Sequence, residues 1–239
     1  KVELEQLLIN SYLTSKNYKE AIVLLESNRN SQNRIIYQKV AFYRALEMYT
    51  DGEYNAAYDL FNKVIDEAKD AKYTARAVFW KGETEYTLSK YNEALQTFRL
   101  FETLGEAQNT LEYKNFNYNM AYAYFKVKNY DNAALYFQKY IDGYKKDDKV
   151  RYNDAYLRMA DSYFVSTKYW PAMEAYNKAI ELGSIDADYA AFQKAISYGF
   201  VSKNERKIQD LTGFIKSYPN SSYTDDAMYE LGNTYVNEN

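Results

Sequence analysis

The chain has 239 residues, 47% of them hydrophobic and 26% charged, and carries a net charge of −3 at neutral pH. That composition belongs to a folded chain, and with no surplus of Lys and Arg to gather phosphates it gives no electrostatic reason to expect a nucleic-acid partner, so none is expected. The absence of His and Cys removes imidazole acid–base catalysis, the Ser-His-Asp triad, thiol chemistry and the usual zinc ligands.

Eight Gly and two Pro leave few breaks, and apolar residues recur at helical spacing throughout, which predicts an almost wholly helical chain. No apolar run approaches the roughly 18 residues of a bilayer-crossing helix and no basic-then-apolar leader opens the chain, so no direct membrane insertion is expected of this fragment. The chain starts at Lys1 and stops at Asn239 inside a repeating pattern, which reads as an excised piece whose targeting segment has been removed.

Taken in order, the pattern predicts six helical hairpins, each with a small residue opening its second helix. The first (2–37) has Ala21, with Tyr18 three residues before it, Leu25 four after, and Ile9 twelve before. The second (38–74) repeats this as Ala45, Tyr54, Ala57 and Phe61. The third (75–113) has Gly82, Tyr91, Ala94 and Phe98, and is predicted to end in a long connector from Leu104 to Tyr113. The fourth (114–152) has Ala121, Tyr130, Ala133 and Phe137, followed by a long connector from Ile141 to Asn153.

The fifth (153–187) has Ala160, Tyr169, Ala172 and Tyr176, with Trp170 before Pro171 assigned a packing role. The sixth (188–224) departs from the others: after Ala195, Asn204 replaces the Tyr and Lys207 the Ala, with Leu211 following and Pro219 closing the unit. Gly232 opens a partial seventh copy (225–239), a single terminal helix over Ser222 to Val236. By subtraction the anchors Ala21, Ala57, Ala94, Ala133, Ala172 and Lys207 stand 36, 37, 39, 39 and 35 residues apart. Fixed sizes at a fixed period mean that each hairpin stacks on its neighbours, because one hairpin cannot bury both its faces.

On these residues the chain resembles the tetratricopeptide-repeat family. Leu231-Gly232-Asn233-Thr234-Tyr235 matches the first half of that family's pattern, and Ala57 with Phe61, Ala94 with Phe98 and Ala133 with Phe137 match the second. The period exceeds the family's usual figure of about 34, and the closing Pro occurs only at Pro219. The resemblance implies an all-α fold, a right-handed α-solenoid of about six stacked antiparallel hairpins plus one terminal helix, forming one domain over 1–239. It implies a non-catalytic scaffold for protein–protein interaction, with a protein or peptide partner and no cofactor or metal. The 29 Tyr, the turn Tyr130-Asp131-Asn132 and the motif from Ser217 to Tyr223 resemble repeat modules of bacterial cell-envelope proteins. The expected location is therefore the envelope or periplasm, with the cytoplasm as the alternative.

In such a stack the first helices line the inner groove. The residues expected to face it are Phe42 and Tyr43; Arg76, Phe79 and Trp80; Tyr118 and Tyr122; Arg158; and Phe192, with Tyr49, Tyr86, Asn119 and Phe125 along the same helices. Trp80, Phe79, Tyr118 and Tyr122 are expected to form an aromatic wall flanked by Arg76 and Arg158, with the Arg forks taking a ligand carboxylate. The family's clamp for a terminal carboxylate is not reproduced, since Gln6 and Asn10 stand at its positions without a paired Lys in the next repeat. The alternative function is a glycan-acting helical-hairpin enzyme or carbohydrate-binding module using Glu83 and Asp161. Asp142, Asp147 and Asp148 sit in a connector whose Lys145, Lys146 and Lys149 oppose calcium, and a solvated turn is expected there.

Overall fold

Every predicted second helix begins at the residue three before its anchor. In the computed structural model, which describes residues 2–27, 30–143 and 148–238 with the side chains of 2–6 and 13 left out, the helices are α1 (Val2–Thr14), α2 (Tyr18–Ser27), α3 (Ser31–Thr50), α4 (Tyr54–Glu67), α5 (Ala71–Thr87), α6 (Tyr91–Thr103), α7 (Tyr113–Lys126), α8 (Tyr130–Asp142), α9 (Lys149–Val165), α10 (Tyr169–Leu182), α11 (Ala187–Phe200), α12 (Asn204–Ser217) and α13 (Thr224–Glu238). Among the described residues there is no strand. The chain divides into two compact units, 1–119 and 120–239, with the division inside α7. Each unit is a row of antiparallel helix hairpins, the α-solenoid arrangement.

The size pattern is a packing pattern. Ala21, Ala57, Ala94, Ala133 and Ala172 are fully buried, as are Phe61, Phe98, Phe137 and Leu211 four residues beyond their anchors. Gly82 shows why the crossing residue is small: a Cβ there would lie 2.7 Å from the Phe98 ring. Glu85 stands where other first helices carry Tyr, is 3% exposed, and has one carboxylate oxygen without a hydrogen-bond partner. Burial pushes its carboxyl above the ordinary value.

Six hairpin turns share one backbone device. The residue two before each second helix is left-handed: Lys16, Gly52, Ser89, Lys128, Thr167 and Ser202. The next amide then donates back to the carbonyl five residues earlier at 2.8–3.0 Å, capping the first helix. Only Gly52 takes this conformation without side-chain strain, and Thr167 is β-branched at φ +59°. A left-handed non-Gly residue costs about 1–2 kcal/mol. Thr167→Gly relieves that at an unfolded-state penalty of about 0.4–1 kcal/mol. It is therefore expected to raise stability by about 0.5–1 kcal/mol in chemical denaturation. A lower unfolding midpoint would show that the turn carries no such strain.

Side-chain caps start the first helices earlier than the sequence boundaries at 38, 75 and 153. Asn30 accepts from the Asn33 amide at 2.8 Å, Asp70 from Lys72 at 2.9 Å, and Asp148 from Arg151 at 2.9 Å. The connector expected from Ile141 to Asn153 is consequently shorter, because α8 runs to Asp142 and α9 starts at Lys149. Residues 144–147, which include Lys145, Lys146 and Asp147, lie outside the described residues. Asp142 accepts from Gln138 Nε2, and Asp148 is occupied by its cap. The other long connector forms as expected, over 104–112 with a 3-10 turn at Ala107–Asn109.

A polar clasp ties each of several first helices to the connector that leaves its own hairpin. Gln38, with no exposure, donates to the Val64 carbonyl and Thr74 hydroxyl and accepts from the Lys69 and Asp70 amides at 3.0 and 2.7 Å. Asn153 accepts from the Ser184 amide at 2.8 Å, and Asp188 from the Ser221 hydroxyl at 2.6 Å. These three share one register, seven residues before Ala45, Ala160 and Ala195. Gln38 and Asn153 supply partners that buried irregular backbone needs, while Asp188 holds its connector through the Ser221 hydroxyl.

Candidate interaction surface

Three of the nine residues expected on the groove belong to the core instead. Phe42 is fully buried, Phe79 is 3% exposed and Phe192 is 8% exposed. Each stands three residues before the small crossing residue, at Ala45, Gly82 and Ala195, and a spacing of three returns to the same helical face. They pack inward: Phe42 on Phe61, Phe79 between Phe98 and Phe101, and Phe192 against Phe214 and Tyr223. Tyr118, at the same position of α7, is half-buried.

In the first unit Tyr43, Arg76 and Trp80 sit on one half-exposed face, but Arg76 is already paired. Its Nε donates to both oxygens of Glu112 at 2.9 and 3.1 Å, and the Trp80 indole donates to the same carboxylate at 3.0 Å. Glu112 ends the long connector, so this pair is the third hairpin's form of the clasp. The guanidinium lies 4.4 Å above the Phe42 ring. Arg76 therefore holds the fold together and does not wait for a ligand carboxylate, which corrects its assigned role. Glu112 was not singled out in the sequence; its one signal is an acid at the end of an unusually long connector.

The rings around it remain partly open. Tyr18 stacks on Tyr43 at 5.5 Å, the Tyr43 and Tyr73 hydroxyls lie 3.3 Å apart, and Tyr49 meets Trp80 edge-on at 5.2 Å. The hydrogen bond with Tyr73, then the Arg76 charge, holds the Tyr43 phenol below its ordinary value, while burial and then Tyr43 push Tyr73 up. Beside these rings a cleft of about 870 Å³ opens against α3, lined by Tyr18, Tyr43, Lys16, Lys39, Arg44 and Glu47 among others. Arg44 donates from Nη1 to Glu47 at 3.0 Å and leaves only its buried Nε without a hydrogen-bond partner.

In the second unit Arg158 is likewise committed. Its Nε donates to Asp154 at 3.2 Å and its Nη1 to Asp161 at 2.6 Å. Asp161 also accepts from the Tyr176 and Tyr189 hydroxyls at 2.7 and 2.8 Å, and Tyr122 donates to Asp154. Burial, then the Asp161 charge, raises both the Tyr176 and Tyr189 phenols. Arg158 as a free receptor is thus corrected too. Asp161, with three donors on it, is a structural hub and offers no proton-transfer geometry of the kind glycoside cleavage needs. Glu83, its proposed carboxylate partner, belongs to the other unit and is half-buried on α5.

Tyr49, Tyr86 and Phe125 close hairpin turns. They meet Tyr54, Tyr91 and Tyr130 edge-on, each at 5.3 Å, and Phe164 meets Tyr169 the same way at 5.5 Å. Burial, then Tyr91, pushes the Tyr86 phenol up to about 12. Trp170 is not packed as expected: it is 55% exposed and borders an outer cleft of about 710 Å³ with Met173, Lys194 and Arg206. It stands at the second position of α10, before the helix has turned its side chains inward.

A stack of helix hairpins whose crossings are fixed by small residues and whose half-exposed face is aromatic defines a repeat scaffold. Residues 117–147 match the family model for the tetratricopeptide repeat. The C-terminal part of a repeat-containing protein from Cytophaga hutchinsonii superposes with a TM-score of 0.68 at 14% identity, over 97% of this chain and 88% of that one. YrrB, described as a tetratricopeptide-repeat protein with an unusual peptide-binding site, gives 0.65 at 15% identity over 89% and 96%. PilF of Pseudomonas aeruginosa gives 0.58 at 18% identity over 95% and 96%. No curated protein sequence matches the chain. Residues 117–147 thus carry a tetratricopeptide-repeat match, and the fold is that of the tetratricopeptide-repeat solenoids. Among the described residues no helix is long and apolar enough to cross a membrane.

Proposed function

We propose that the chain is a non-catalytic scaffold that holds an extended peptide segment of a partner protein along the face of α3 and α5, in a bacterial envelope. The observation that carries this reading is the 870 Å³ cleft in which a stacked Tyr18–Tyr43 pair lies beside Lys16 and Lys39, with Arg44 paired to Glu47 at its edge. Rings give apolar contact at low entropic cost, and the cations favour an acidic residue or terminal carboxylate next to an apolar one. Trp80 and Tyr118 are the half-exposed members of the expected wall within this unit, and Tyr43, a separate groove residue, supplies a ring to the cleft. The fold shared with YrrB, described as carrying a peptide-binding site, supports the peptide reading, and the Tyr-rich composition supports the envelope location.

The test begins with a displayed peptide library selected on the intact chain. Tyr43→Ala is expected to weaken a selected peptide more than tenfold, since truncating an anchor costs roughly 2 kcal/mol or more. Lys39→Glu, at an exposed position, should weaken acidic peptides most, and Trp170→Ala in the other unit should change nothing. Calorimetry showing wild-type affinity for both Tyr43→Ala and Lys39→Glu would refute the cleft assignment.

A further inference from the structure

The fifth and sixth hairpins differ at three positions that share one place in the fold. In the fifth, Tyr169 stacks flat on Phe200 at 4.7 Å and 7°, and Phe164 meets both rings edge-on at 5.5 and 5.6 Å. One hairpin further, the positions in the same register hold Gly199, Asn204 and Asn237. Where the fifth hairpin places three rings, and the second to fourth place two, there is a cavity of about 300 Å³, which all three of these residues line.

The other departure of the sixth hairpin belongs to the same arrangement. Lys207 occupies the anchor position that elsewhere is Ala, and Gly199 makes room for it: a Cβ at 199 would lie 3.0 Å from the Lys207 Cδ. The Lys207 side chain is only 12% exposed, and its amine reaches Glu230 at 2.7 Å. Asn204 donates to Glu238 at 2.5 Å instead of presenting a ring. The cavity therefore has one aromatic wall, the 57% exposed Phe200, and a rim of amides with one ion pair.

We infer that this cavity is a receptor for a single tyrosine side chain supplied by a partner protein. Its volume is at the small end of ligand pockets and suits one side chain. Its position is one the fold elsewhere fills with rings, so the surrounding helices are already spaced for an aromatic body. The amides and Glu230 provide partners for a phenol hydroxyl, and the Lys207 ammonium attracts a ring face. The source of the ring rests on the scaffold reading above, but the cavity lies in the second unit and is tested without the peptide.

The probe is p-cresol, the tyrosine side chain alone, titrated into the isotope-labelled chain. Saturable amide shifts are expected at Gly199, Asn204, Lys207 and Asn237, with a dissociation constant of about 1 mM, typical of so small a ligand. Cyclohexanol, which has the hydroxyl without the ring, should produce far weaker shifts. Asn204→Tyr supplies a ring from within and should abolish the response, and Asn237→Phe does the same from α13 if the first variant folds poorly. Lys39→Glu, which disables the first-unit cleft, should leave the p-cresol response intact, so the two readings fail separately. No saturation by about 10 mM p-cresol, ten times the expected constant, would overturn the assignment. So would an equal response to cyclohexanol or an undiminished response in the filled variants.

Discussion

Replacing Glu112 by alanine is expected to destabilise the first unit by about 3–5 kcal/mol, the cost of leaving a buried charge without its partner. Arg76 would keep its guanidinium over Phe42, at 14% side-chain exposure, with no carboxylate to meet it, and the Trp80 indole would lose its acceptor. Removing both charges is milder than removing one, so Glu112→Ala with Arg76→Met should recover part of the loss. Chemical denaturation gives the energies, and hydrogen exchange should show the damage centred on the third hairpin, because repeats couple mainly to their neighbours. A loss under about 1 kcal/mol would mean that the pair behaves as a screened surface contact.

The second large effect lies at Asp161. Asp161→Ala removes the acceptor of Tyr176 and Tyr189 and the nearer of the two carboxylates on Arg158, which keeps Asp154, and the Tyr176 side chain has almost no access to water. The expected cost is about 4 kcal/mol or more, combining a broken buried ion pair with unsatisfied hydroxyls. The same cluster gives a pH dependence. Tyr176 and Tyr189 are raised in the folded state, by burial first and then by Asp161, so folding holds their protons more tightly than the unfolded chain does. Their contribution is complete below the unfolded value of 10.0 and is lost as the pH rises above it. Wild-type stability should therefore fall from about pH 10 upward, and removing the Asp161 charge in Asp161→Asn should make that fall shallower. An identical alkaline slope in the variant would contradict the coupling.

The register of the hairpins was legible because it is a matter of size at helix crossings. Gly82 under Phe98, and each buried Ala before a bulky residue, are steric statements written within sixteen residues of one another. The groove was less legible. Phe42, Phe79 and Phe192 look like neighbours of exposed positions, yet a spacing of three puts them with the crossing residue. The partners of Arg76 and Arg158 were hidden for a different reason. Glu112 is brought back to α5 by the path of a connector, and Tyr189 reaches Asp161 from another hairpin. Turn strain left no mark either, because Lys16 and Lys128 are lysines and Ser89, Thr167 and Ser202 hydroxyl residues, and only Gly52 carries the usual sign of a left-handed residue. Lys207 became intelligible once Gly199 was seen beside it.

The clasps also bear on how the molecule answers a pulling force. Gln38, Arg76, Asn153 and Asp188 each fasten a first helix to the connector leaving its own hairpin, the first and third through backbone amides and the other two through side chains. Tension applied along the chain should load the bonds of one connector together and those of successive connectors in turn. Extension of such a chain should proceed as separate small lengthening events, each set by one fastening, and Gln38, with the most bonds made by a single side chain among the four, should be among the last to give way. The same polar atoms that order the connectors at rest should then act as a graded set of force-bearing links.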